Sequence, residues 1–209
     1  RYMADGGTSI FVGGPHATEF VVMDEEERDR IWRWSVDELG GQSPVNAIPF
    51  GHGSTSMMIR RFTLAESMGF DGALLYPAAE GGHGADGLFI REAERYFRDV
   101  LDNTGIRVHL AGYHGGEIID SPTKMVPWEL LVTLAREYPQ VIGVTVLDAG
   151  GDGTDIAELV KELHGRCPVR LAGAHHWFER MELGVFGFHS IQQSYIFGDH
   201  VAMSGRAAG

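Results

Sequence analysis

Residues 141–147 read VIGVTVL, an uncharged run in which Thr145 is the only polar side chain. A short, β-branched, unbroken apolar run predicts a strand buried on both faces, as in a parallel sheet covered by helices. Turn-forming residues bound it on both sides, Pro139 upstream and the stretch DAGGDG at 148–153 downstream. A hydroxyl in the middle of such a strand is either packing or chemistry. The rest of the sequence decides how that hydroxyl is read.

Working outward, similar runs occur at 10–14, 45–50, 72–76, 107–113, 169–173 and 184–189. The intervening stretches carry helix signals. Asp24 stands before three glutamates, Glu25 to Glu27, as an N-cap with an acidic first turn, and Ile31, Trp34 and Leu39 supply apolar positions. Ser54 or Thr55 starts a helix expected to bury Met58, Phe62 and Ala65, and 87–102, 127–137, 154–164 and 176–183 read as helices as well. Trp32 and Trp34 read as helix packing, one in the core and one at the surface.

Seven β/α alternations predict an α/β fold with a parallel sheet and helices outside it. Both a (β/α)8 TIM barrel and a doubly wound sheet satisfy that pattern. A barrel takes about 250 residues, so seven units in 209 residues suit a barrel lacking strand one and the C-terminal helices. The expected organisation is one domain over 1–209, holding strands two to eight. The opening RYMADGG reads as the tail of a helix capped by glycines, so further residues are expected upstream.

Composition narrows the partners. A net charge of −12, with only two lysines (Lys124 and Lys161), leaves no basic stripe for nucleic acid or for an anionic membrane surface. No apolar run approaches the roughly 18 residues of a membrane span. The single cysteine, Cys167, excludes an internal disulfide framework and is compatible with a reducing cytoplasm.

Four stretches together resemble one family. GGPHATEFVVMDEEER, FGHGSTSMMIRRFTLAESMGFDGALLYP, VIGVTVLDAGGDGTDIAELV and LGVFGFHS follow the order and spacing of the dihydrodipicolinate synthase and N-acetylneuraminate lyase family over roughly residues 2–195. The resemblance implies a (β/α)8 barrel, a homo-oligomer (dimer or tetramer), a small oxo- or hydroxy-acid as substrate, and no added cofactor. The family joins a sixth-strand lysine to the ketone of pyruvate or a related 2-oxo acid as a Schiff base. Only an amine condenses with a carbonyl to give that electron sink. The matching position here is Thr145, and a hydroxyl cannot make the intermediate.

The resemblance also shows where other family groups are changed. The fifth-strand tyrosine of the proton relay matches Ala111, with Tyr113 two residues on and on the same side of the strand. The relay threonine matches Ala17, beside Thr18 and Glu19, which together with Gly173 are expected to line the substrate. The tyrosine borrowed from a neighbouring subunit falls at Ala79, and the carboxylate-gripping arginine has no match in HGGEIID.

Histidines stand where those groups are gone. Loops after the C-terminal strand ends carry function in a parallel barrel. His16, His52, His83, His114, His175, His176 and His189 all fall after or at strand ends, with Glu80, Glu117 and Asp148 on the same rim. The catalytic candidates are Thr145, Tyr113, His16, His52, His114, His175 and His189. Imidazoles and carboxylates suit general acid–base work near neutral pH. A divalent metal would use the same residue types, but no tight ligand motif such as H-E-x-x-H is present, so no metal is expected.

Other residues keep blander readings. DAGGDGTD before a helix either cradles a phosphate through backbone N–H groups or simply turns into an N-cap. His109 is either a barrel-facing polar group or an outward core residue, and His164 and His200 read as surface. Two function classes follow: a lyase-type enzyme working without an imine, and a non-catalytic relative that binds a metabolite or supports an oligomer. Convergence of the histidines on one pocket would favour the enzyme.

Overall fold

The first helix starts where its acids predict. In a computed structural model describing residues 9–14, 20, 22–49, 54–77, 86–112, 126–147, 153–172 and 177–189, Asp24 accepts from the Glu27 N–H at 2.8 Å, and Glu27 Oε2 accepts from the Asp24 N–H at 3.1 Å. This reciprocal capping box satisfies two donors that a helix start leaves unpaired. Ser54 caps the second helix through the Met57 N–H, and Gly69 ends it in the left-handed conformation at φ 88°.

The chain runs β1 (Ile10–Val12), α1 (Glu25–Leu39), β2 (Val45–Ala47), α2 (Thr55–Met68), β3 (Gly72–Leu75), α3 (Asp86–Leu101) and β4 (Val108–Ala111). It continues through α4 (Trp128–Glu137), β5 (Val141–Leu147), α5 (Thr154–Leu163), β6 (Val169–Ala172), α6 (Trp177–Met181) and β7 (Gly187–His189). All seven expected strands are present, most of them one to three residues shorter than their apolar runs, and β5 matches its run end to end.

The seven strands form one sheet in strictly sequential order, β1 to β7, every pairing parallel. A doubly wound sheet reverses its strand order at a switch point, so that alternative is excluded. Sequential parallel strands with a helix between each consecutive pair make the wall of a barrel.

Strand alternation sorts the side chains into two layers. The outer face packs on the helices. Val45, Ala73, Leu75, Val108, Leu110, Val144, Val146, Val169 and Leu171 join Phe62, Phe97, Leu131 and Leu159 in one large cluster. The opposite face holds a smaller cluster of Ile48, Leu74, Tyr76 and Ala111, with Phe11 and Ala172 against it. That second layer is the barrel interior.

One helix assignment is corrected. Trp34 is not an apolar anchor of α1, being 65% exposed. Trp32 takes that place, its indole 5.4 Å from the Phe70 ring and 6.5 Å from Phe20. The two residues differ by about 200° around the helix, so only one can face the sheet. Met58 is only partly buried, whereas Phe62 and Ala65 are in the core as expected.

Candidate functional site

Thr145 lies on the interior face. Val144 and Val146 belong to the outer cluster, so the residue between them takes the other side of the strand, where it is 1% exposed. Its register partners are Ala111 on β4 and Arg170 on β6. The position expected to carry the family's amine is therefore on the inner wall, and a hydroxyl occupies it. Its neighbour Ala111, where the resemblance puts a tyrosine, brings no hydroxyl.

Below Thr145 the interior is polar. Arg170 Nη1 sits 3.0 Å from His109 Nδ1. A guanidinium only donates, so Nδ1 accepts, and the ring is the neutral tautomer protonated on Nε2. His109 is 3% exposed and meets the edge of Phe11 at 5.2 Å. His109 is thus the barrel-facing polar group, not an outward core residue. Arg170 also lies 5.6 Å from the Phe186 ring centre, within cation–π range. Burial pulls the Arg170 guanidinium below its usual pKa, with Cys167 a smaller opposing influence.

Glycines make room for this layer. A Cβ at Gly143 would stand 2.6 Å from Arg170 Nη1 and 2.7 Å from His109 Nδ1. Gly72 does the same for Asn46, whose Oδ1 would lie 2.6 Å from a Cβ there. Asn46, 2% exposed, donates to Ser9 Oγ at 3.3 Å. The inner wall below Thr145 is thus floored by Asn46, His109 and Arg170, each seated against a neighbouring strand.

Of the residues read from sequence, His189 falls on β7 as register partner of Ala172. Tyr113, His16, His52, His114, His175, Thr18, Glu19 and Gly173 lie outside the described residues, as do His83, His176, His200, Glu80, Glu117, Asp148, Ala17, Ala79 and Lys124. His164 is exposed at the end of α5. Lys161 is on α5 with 70% of its side chain exposed, 3.1 Å from Glu158, outside the sheet. Among the described residues no lysine enters the barrel interior, and no helix is long and apolar enough to cross a membrane.

The glycine-rich turn ends in Gly153, which is the N-cap of α5 at φ 77° and makes no side-chain cap. The buried Arg180 of α6 packs against it, its Nη1 2.6 Å from where a Cβ would stand. Residues 148–152, the rest of the stretch with phosphate-cradle spacing, are not among those described.

Sequence reasoning missed Arg170. Its signal was present: a charged residue in VRLAG, alternating with Val169 and Leu171, occupies the face opposite a buried outer layer. Chemically, the wall offers a hydrogen-bonding hydroxyl at Thr145 above a guanidinium and a neutral imidazole. None of these is a nucleophile able to form an imine.

No family model matches the chain. Comparison with curated proteins finds 4-hydroxy-tetrahydrodipicolinate synthase of Desulforamulus reducens, 26% identical over 161 residues, covering 76% of this chain and 49% of that protein. The chain spans about half the length of the curated relatives it matches. Among solved structures, dihydrodipicolinate synthase from Aquifex aeolicus superposes with a TM-score of 0.81 at 19% identity, over 99% of this chain and 66% of that one. A prophage protein of the dihydrodipicolinic acid synthase family from E. coli K12, solved in complex with pyruvate, gives 0.79 at 20% identity, over 100% and 69%. The relatives and structural neighbours are dihydrodipicolinate synthase family proteins, and the barrel wall is theirs.

Proposed function

We propose that this chain is a divergent dihydrodipicolinate synthase-like lyase acting on a small oxo- or hydroxy-acid without a Schiff base. The carrying observation is Thr145, buried on the inner wall of β5 where the family resemblance calls for the imine-forming lysine. In this reading Thr145 donates a hydrogen bond to a substrate oxygen, and proton transfer falls to Tyr113, His16, His52, His114, His175 and His189 at the barrel mouth. Thr18, Glu19 and Gly173 line the substrate.

The first barrel strand and the C-terminal helices would be supplied by residues outside this 209-residue stretch. A match to only about half of each curated relative supports that reading. The family resemblance in the sequence implies assembly as a homo-oligomer, which is part of the proposed reading. One cysteine and a net charge of −12 suit a cytoplasmic enzyme that meets neither nucleic acid nor membrane.

The test is proton exchange. In deuterated buffer, the protons next to the carbonyl of pyruvate and longer 2-oxo acids should exchange faster with the protein than without it. General acid–base catalysis contributes about 10²–10⁴-fold, so replacing the working histidine, with His52→Gln and His114→Gln as first variants, should remove most of the acceleration. Binding of these acids with no exchange would sink the enzyme reading and leave a metabolite-binding relative. Neither binding nor exchange, across oxo- and hydroxy-acids, would remove the substrate class as well.

A further inference from the structure

We infer that Arg170 is the carboxylate-binding group of this barrel, holding the acid end of the ligand beneath Thr145 so that the oxygen on carbon 2 meets the Thr145 hydroxyl. The inference rests on the small-acid reading of the site and assigns it a recognition residue and a binding direction.

The charge pattern comes first. Arg61, Arg95, Arg98, Arg107 and Arg136 each pair with an aspartate or glutamate. Arg170 has no carboxylate partner among the described residues, and unlike the surface arginines that share this it lies on the inner face of a strand, half-buried. Its contacts among the described residues are His109 Nδ1 at 3.0 Å and the Phe186 ring, and neither carries negative charge. His109 accepts as a neutral ring, so it orients the guanidinium without neutralising it. The chain holds 29 carboxylate side chains, yet among the described residues none reaches this interior cation. A half-buried cation without a counter-ion carries part of the cost of leaving water, and an anionic ligand offsets it.

The geometry fits the same ligand. One N–H of the guanidinium is committed to His109. The remaining donors form the planar fork that matches a carboxylate through two parallel hydrogen bonds. Arg170 and Thr145 are register partners on adjacent strands, and the Arg170 side chain reaches across β5 at the level of Gly143, two residues below Thr145. The wall around them is made of small residues, with Ala111 beside Thr145 and Ala172 above Arg170. A carboxylate on the fork would put carbon 2 and its oxygen next to the hydroxyl, with the rest of the molecule directed to the mouth. The class is a 2-oxo or 2-hydroxy monocarboxylate.

The test is binding of pyruvate, L-lactate, formate and inorganic phosphate to the 209-residue chain and to its Arg170→Met, Arg170→Lys and Thr145→Val variants, by calorimetry, with the unliganded melting temperature of each. Arg170→Met should weaken pyruvate and lactate by about tenfold or more, as expected for loss of a bidentate charged pair. Arg170→Lys should retain part of the affinity, and the melting temperature of each variant separates a folding defect from a binding defect. Formate should lose affinity in Arg170→Met but not in Thr145→Val.

A pyruvate affinity unchanged in Arg170→Met would overturn the assignment while leaving the small-acid reading standing. A lower melting temperature with unchanged affinity would mark Arg170 as a packing residue and overturn it too. Arg170-dependent binding of phosphate or formate alone would uphold Arg170 as an anion site and refute the small-acid reading. No binding of any of the four would overturn the assignment.

Discussion

Replacing Phe97 by alanine is expected to lower the unfolding free energy by about 3–5 kcal/mol, the range for deleting a buried phenylalanine ring. Phe97 is fully buried on α3, beside Tyr96 with ring centres 5.9 Å apart, within the layer that binds helices to the outer face of the sheet. The loss combines the ring's transfer free energy with the cavity left behind, since helices pinned to a sheet collapse only partly. For a chain of this size each kcal/mol shifts the midpoint by about 2–4 °C, so melting should fall by roughly 6–20 °C. A shift under about 2 °C in thermal and urea unfolding would show that the outer layer is not the stabilising core.

Gly143→Val is expected to cost about 1.5–5 kcal/mol and to remove pyruvate binding. Strand propensity favours valine over glycine, but that scale spans only about 1 kcal/mol. Against it stand overpacking at about 1–3 kcal/mol and the loss of a charged-donor hydrogen bond at about 1.5–3 kcal/mol. A side chain at 143 would meet Arg170 Nη1 at 2.6 Å and His109 Nδ1 at 2.7 Å, so the pair must separate. Steric cost wins over propensity. A Gly143→Val protein as stable as the parent, with intact pyruvate affinity, would mean that the Arg170–His109 contact is incidental.

Much of the fold was legible because the two periodicities are clear. Every strand run is apolar on its outer face, and the helix starts at Asp24 and Ser54 carry their own chemistry. Choosing the barrel over the doubly wound sheet needed strand order, which composition and periodicity cannot supply. The family resemblance supplied it, and the sequential pairing agrees. Trp32 and Trp34 do form the core and surface pair expected, and only the placing of Trp34 among the apolar positions of α1, which followed spacing alone, fails.

Of the proposed site, one residue was legible. Thr145 stood out as the polar position in an apolar strand, and the inner wall is where it lies. Arg170 and His109 were harder to read. Each is a polar residue in a strand, and their pairing depends on β4 and β6 flanking β5 and on the space left at Gly143. That is three-strand information, whereas periodicity speaks for one strand at a time. The substrate-side histidines other than His189 lie outside the described residues, so their convergence stands as part of the proposal.

The central claim is that this barrel works without a Schiff base, and borohydride trapping tests it most directly. The protein is incubated with pyruvate, reduced, and weighed intact before peptide mapping. With threonine at 145 and Lys161 out on α5, the expected result is an unchanged mass, alongside saturable pyruvate binding measured in the same preparation. A stoichiometric pyruvyl adduct mapped to Lys124 or Lys161 would contradict it.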